Sequence, residues 1–141
     1  MVDYSITELN ISNNGLTKLP DDIHKYTNLL KLYCYNNKLT SLDNLPPNLQ
    51  ILYCSSNQLT SLDNLPPNLK ELYCYNNKLP SLDNLPPNLQ ELDCNYNQLT
   101  SLDNLPPNLQ ELDCSSNPLQ YDFEPSLENI RKYNTSRNIK Q

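Results

Sequence analysis

The sequence predicts a β-rich solenoid with parallel strands on one face, extended polyproline-type segments on the other, and a short capping helix at the C-terminal end. Three observations predict it. The run Ser41-Leu42-Asp43-Asn44-Leu45-Pro46-Pro47-Asn48-Leu49 returns at 61–69, 81–89 and 101–109. Between the copies runs Leu-x-x-Leu-x-Cys-x-x-Asn-x-Leu, as at Leu29, Leu32, Cys34, Asn37 and Leu39. Within it, Leu-x-Cys alternates with the period of two that marks a strand buried on one face. A unit that recurs at a fixed short period buries its apolar face by stacking on the next copy.

Six units follow from aligning the asparagines. The first begins at Ile6 (Ile6, Leu9, Ile11, Asn14, Leu16) and runs 23 residues, with Leu19-Pro20 and Ile23 behind it. The others begin at Leu29, Leu49, Leu69, Leu89 and Leu109. Every copy travels the same way through its turn, so successive strands are parallel. On the return leg the pair Pro46-Pro47 fixes φ, removes two amide donors and forces Leu45 into an extended conformation. An extended leg follows there in place of a helix. Helices would sit ~8–10 Å apart against ~4.8 Å for strands and bend the stack strongly. The expected shape is a slim, weakly curved rod.

The pattern stops after Leu119, which sets the solenoid at 1–119 and a cap with a polar tail at 120–141. Ser126 is placed as an N-cap, with Leu127, Ile130 and Tyr133 spaced along one helical face. Beyond Asn134 a frayed tail is expected. The N-terminal end shows no comparable cover, which leaves the first strand as an open edge.

Composition narrows the function classes. The chain has 141 residues, 37% of them hydrophobic, one Gly and 12 Pro, and the prolines fall in phase with the repeat. The net charge of -6 argues against nucleic acid and anionic membrane as partners, since both call for basic surface. No apolar run approaches the ~20 residues of a membrane span. The start, Met-Val-Asp-Tyr-Ser-Ile-Thr-Glu, lacks a signal peptide's basic and apolar regions. Five cysteines, an odd number, point to free thiols in a reducing cytoplasm.

Six matches across roughly residues 6–119 identify the chain as a member of the leucine-rich repeat family. The short units with Leu-Pro-Pro-Asn-Leu-x-x-Leu resemble the bacterial effector type, YopM-like and IpaH-like. The Cys-containing, Asn- and Tyr-rich version is similar to repeat proteins of giant DNA viruses. The resemblance implies a curved parallel sheet and protein binding, often inside a host cell. The IpaH ubiquitin ligases carry a separate catalytic domain after their repeats, and no segment here is long enough to be one. After the strand-side Asn, these units also have Leu-Asp where Leu-Pro is usual.

Three ladders run through the units. Cys34, Cys54, Cys74, Cys94 and Cys114 take the inward position that Ile11 fills in the first unit, as small buried hydrophobes. Side chains standing parallel in register suit neither disulfides nor a metal site, which needs converging ligands. Asn37, Asn57, Asn77, Asn97 and Asn117, with Asn14 before them, are placed to satisfy backbone groups where the chain leaves the strand. Asp43, Asp63, Asp83 and Asp103 have two readings: Asx-type turns on nearby amides, or weak Ca²⁺ binding between units.

The outward side chains carry the functional information. Tyr33, Tyr53 and Tyr73 precede the cysteines, Tyr35 and Tyr75 follow them, and Ile51 stands exposed among them. Glu91, Asp93, Glu111 and Asp113 continue the face as an acidic half, with Tyr96 beside it. Tyrosine gives rigid contact area with a hydrogen-bonding tip and is enriched at interface hot spots. Cross-strand pairing within the sheet is the competing role for the same rings. No catalytic set is legible. His24 stands without a nucleophile at an evident spacing, and one glycine cannot make a phosphate loop.

The expected function is therefore a non-enzymatic protein-protein interaction module without a cofactor. Its Tyr-rich, partly acidic strand face would take a protein partner of basic character. Two alternatives are a self-assembling unit joined through its N-terminal edge or its tyrosine face, and the substrate-recognition arm of a multi-protein ubiquitin ligase.

Overall fold

The computed structural model describes residues 1–139. Six three-residue strands, Glu8–Asn10 (β1), Lys31–Tyr33 (β2), Ile51–Tyr53 (β3), Glu71–Tyr73 (β4), Glu91–Asp93 (β5) and Glu111–Asp113 (β6), form one sheet in chain order. Every neighbouring pair is parallel, and Leu9, Leu32, Leu52, Leu72, Leu92 and Leu112 align across it. The ladder continues past each strand, since Cys34 N–H donates to Tyr53 O and Cys54 N–H to Tyr73 O, both at 2.9 Å. The three extra residues of the first unit are taken up by a 3-10 turn, Ile23–Lys25.

The core lies between the strands and the return legs. Leu29, Leu49, Leu69 and Leu89 open their units fully buried, and Leu39, Leu59, Leu79 and Leu99 close the strand side the same way. Cys34, Cys54, Cys74 and Cys94 have no exposed surface, and all five thiols are free. Burial pushes the Cys34 thiol up to about 12, and the same cause raises the other four. These thiols therefore stay protonated at neutral pH and act as packing atoms.

Each buried asparagine joins two units. The Asn57 amide donates to Cys54 O in its own unit and Cys34 O in the preceding one, both at 3.1 Å, and its Oδ1 accepts from Leu39 N–H at 3.0 Å. Asn77 and Asn97 repeat that pattern. Asn14 departs from it. Its side chain is exposed, and its backbone N–H donates to Asn37 Oδ1 at 3.0 Å.

The return leg holds no helix, and two turns punctuate it. Asn44, Asn64, Asn84 and Asn104 adopt φ of 56–61°, a left-handed region in which asparagine is the best tolerated of the non-glycine residues. Pro66 O then accepts from Leu69 N–H at 3.2 Å, closing a second turn that recurs at Pro86 and Pro106.

Helix α1 spans Leu127–Ile139 and covers the last unit. Ser126 caps it, with its Oγ accepting from Asn129 N–H at 3.1 Å, and Ile130 is fully buried beneath. Arg131 donates to the carbonyls of Pro106, Pro107 and Leu109, which fastens the helix to the last return leg. The helix carries on through 134–139, where a frayed tail was expected; Lys140 and Gln141 lie outside the described residues. At the other end, Tyr4 packs edge-on against Tyr26 at 5.0 Å and donates to Asp22 at 2.6 Å. The N-terminal end thus has a small cover, although β1 still has only one neighbour.

Candidate binding face

Alternation along each strand sends Leu32, Leu52 and Leu72 inward and turns Tyr33, Tyr53 and Tyr73 outward on three adjacent strands. Exact register places the rings one strand spacing apart. Tyr33 and Tyr53 stack with centroids 4.7 Å apart and planes 5° from parallel, and Tyr53 and Tyr73 do the same at 4.7 Å and 8°. Stacking consumes both faces of Tyr53 and one face each of Tyr33 and Tyr73, so the stripe offers a partner mainly ring edges and hydroxyls.

The stack ends against acids. Tyr73 OH donates to Glu91 Oε2 at 2.9 Å and to Glu71 Oε1 at 3.0 Å. Burial, then those two carboxylates, hold its phenol well above the ordinary tyrosine range. Burial also raises Tyr53, with Tyr33 and Glu71 adding to it. Glu71 was not among the sequence candidates. Its register opposite Glu91 is the signal that places it beside them.

Beyond Tyr73 the outward position passes to Asp93 and then Asp113, with Glu91 and Glu111 alongside. The two aspartates differ. Burial, with help from Asp113, lifts Asp93 above the usual carboxylate range despite the Asn95 N–H bond. Burial pushes Asp113 upward too, but hydrogen bonds from Ser115 N–H, Ser115 Oγ and the Asn95 amide together outweigh it and hold Asp113 low. Among the described residues, no ion pair involves Glu71, Glu91, Asp93, Glu111 or Asp113.

The other expected residues fall as follows. Ile51 is half-buried between Lys31 and Glu71, less open than its outward position suggested. Tyr35 is half-buried, whereas Tyr75 is 38% exposed and Tyr96 63%. Tyr96 does not sit on a strand. It occupies the turn just beyond β5, with φ 53°, and lines an open cleft with Tyr75, Asn76, Asp93 and Asn95. Asn76 and Asn95 were not among the sequence candidates, although each adjoins a tyrosine that was, Tyr75 and Tyr96.

The Asp ladder is exposed, and its carboxylates accept from serine hydroxyls two residues back, Ser41 to Asp43 at 3.1 Å and Ser81 to Asp83 at 3.2 Å. These side-chain donors replace the backbone amides expected of an Asx turn. Among the described residues, no group of three or more His, Cys, Asp and Glu is placed to hold a metal ion. His24 is exposed within the 3-10 turn. No described helix is long and apolar enough to cross a membrane.

Comparison with known proteins agrees with this geometry. Residues 5–47, 47–87 and 87–129 each match the family described as Leucine Rich repeats (2 copies). No curated protein matches the chain. Among solved structures, a Shigella effector LRR domain is 34% identical with a TM-score of 0.78, over 87% of this chain and 54% of that one. YopM from Yersinia enterocolitica is 37% identical with a TM-score of 0.77, over 89% and 28%. YopM from Yersinia pestis, a leucine-rich effector protein, is 32% identical with a TM-score of 0.69, over 89% and 42%. The chain thus spans about half or less of the proteins it resembles.

Proposed function

The chain belongs to the leucine-rich repeat family, and from that premise we propose that it is a non-enzymatic module that binds a protein partner of basic character. The working surface in this reading is the strand face, from Tyr33 through Tyr73 to Glu111 and Asp113. One observation carries it: a stacked tyrosine stripe runs into carboxylates that no cation of the described chain neutralises. Aromatic edges and hydroxyls give contact area at low entropic cost, and the acids favour encounter with a basic surface. The effector structures it resembles support a place of action in the cytoplasm of a host cell.

Affinity capture from eukaryotic cytosol tests this, with the native chain beside a Tyr33/Tyr53/Tyr73→Ala variant shown to be folded by circular dichroism. The expected result is a partner held by the native chain, released by salt and lost with the variant. The same partner held equally by both would refute the assignment of the face.

A further inference from the structure

Among the described residues, ten non-glycine residues have positive φ, and nine of them are Asn or Ser. The tenth is Tyr96. At the matching turn the first, second and fourth units carry Asn13, Asn36 and Asn76, and the third and sixth carry Ser56 and Ser116. A bulky side chain in the left-handed region is a strained choice where five other turns show that small polar residues serve. Strain of this kind is held by surrounding structure and concentrates at binding sites.

Tyr96 gains little packing in return, since it is 63% exposed. It lines, with Tyr75, Asn76, Asp93 and Asn95, an open cleft of about 580 Å³. That lies within the ~300–1,000 Å³ range of small-ligand sites. The Asp93 carboxylate is half-buried in the cleft and accepts from Asn95 N–H at 3.3 Å, and no described cation pairs with it. Unlike the stacked Tyr33, Tyr53 and Tyr73, neither Tyr75 nor Tyr96 stacks on another ring among the described residues, and both are exposed at the cleft, Tyr96 the more so.

We propose that the Tyr75–Tyr96 cleft is a pocket for one cationic side chain of the partner, an arginine, held by aromatic faces and paired with Asp93. A guanidinium fits because it stacks on aromatic rings and donates in a planar fork to a carboxylate. The Asn76 and Asn95 side chains line the cleft with further polar groups. This deepens the reading of the strand face as the binding surface by naming the contact that would select the partner.

The probe is Nα-acetyl-arginine amide, with the citrulline analogue as its uncharged isostere, followed by the backbone amide shifts of the ¹⁵N-labelled chain. The arginine probe should perturb Tyr75, Asn95 and Tyr96 with saturation at millimolar concentration, and citrulline should bind at least about tenfold more weakly. Asp93→Asn and Tyr96→Asn should each weaken arginine about tenfold or more. Tyr96→Asn restores the residue of the matching turns, so its fold is secure and loss of binding reports the ring. Equal shifts from citrulline, shifts confined to other residues, or no response would overturn the pocket. Such failure would leave the Tyr33/Tyr53/Tyr73 capture result untouched, so the two readings fall separately.

Discussion

Asn77→Ala tests the principle that holds this molecule together. The Asn77 amide donates to Cys74 O at 3.0 Å and Cys54 O at 3.2 Å, and its Oδ1 accepts from Leu59 N–H at 3.0 Å. With Tyr75 O, which accepts from the same amide at 3.3 Å, four backbone groups in two units lose a partner when the side chain is cut back. A buried group left unpaired costs about 1–3 kcal/mol. The carbonyls keep other donors, the amides of Asn57 and Asn97 and Ser56 N–H, so only Leu59 N–H is left unpaired. With each other lost bond at about 0.5–1.5 kcal/mol, the cost is about 3–7 kcal/mol, a large share of the roughly 5–15 kcal/mol that stabilises a domain. Asn14→Ala is the matched control, since that side chain is exposed and makes no hydrogen bond among the described residues; its cost should stay below about 0.5 kcal/mol. Urea titration followed by circular dichroism measures both. Equal losses for the two variants, or less than about 1 kcal/mol for Asn77→Ala, would refute the claim that the amide ladder joins the units.

Leu72→Ala, at a fully buried site in the centre of the sheet, should cost about 2–5 kcal/mol and can divide the urea transition in two, because coupling runs through neighbouring units. Tyr96→Asn should raise stability by about 1 kcal/mol by relieving the left-handed backbone of a bulky residue, visible as a higher thermal midpoint. The phenol of Tyr73 is raised in the folded state, so the stability it lends is fully present below the ordinary phenol value of about 10 and is lost as pH rises beyond it. Alkaline unfolding of Tyr73→Phe should accordingly lack part of that decline. Glu111→Gln should gain less than about 1 kcal/mol at low ionic strength and nothing near 1 M salt, where screening removes the repulsion it shares with Glu91.

The fold was legible because its determinants are periodic. A leucine or cysteine every second residue, repeated at the same place in each unit, states both the buried face and the register of the next strand. The return leg was less legible. Pro46 and Pro47 exclude a helix, but the two turns depend on the φ of Asn44 and on the carbonyl of the first proline in each pair, and no period of apolar residues encodes either. Tyr33, Tyr53 and Tyr73 were readable as an outward stripe. Their stacking was not, because alternation gives the side of the sheet and leaves ring orientation to packing. Tyr96 shows the opposite limit: its importance lies in a backbone conformation that only comparison with Asn36 and Asn76 at the same turn brings out.

The constant spacing of the sheet treats the two halves of the strand face differently. Rings placed 4.7 Å apart fall into a stacked arrangement, so repeating tyrosine from Tyr33 to Tyr73 stabilises the sheet on its own. Carboxylates at that spacing repel by roughly 0.9 kcal/mol per pair in water. Glu71–Glu91, Glu91–Glu111 and Asp93–Asp113 are all in register and therefore oppose the fold that displays them. Local hydrogen bonds relieve part of this, from Tyr73 to two of the glutamates and from Ser115 and Asn95 to Asp113. Asp93, raised by burial and by Asp113, accepts among the described residues only from Asn95 N–H at 3.3 Å and lines the cleft beside the strained Tyr96. A cation from outside the chain would relieve the charge there, and the same contact would occupy the ring that the turn holds at a cost, so both local departures from stability converge on one basic ligand.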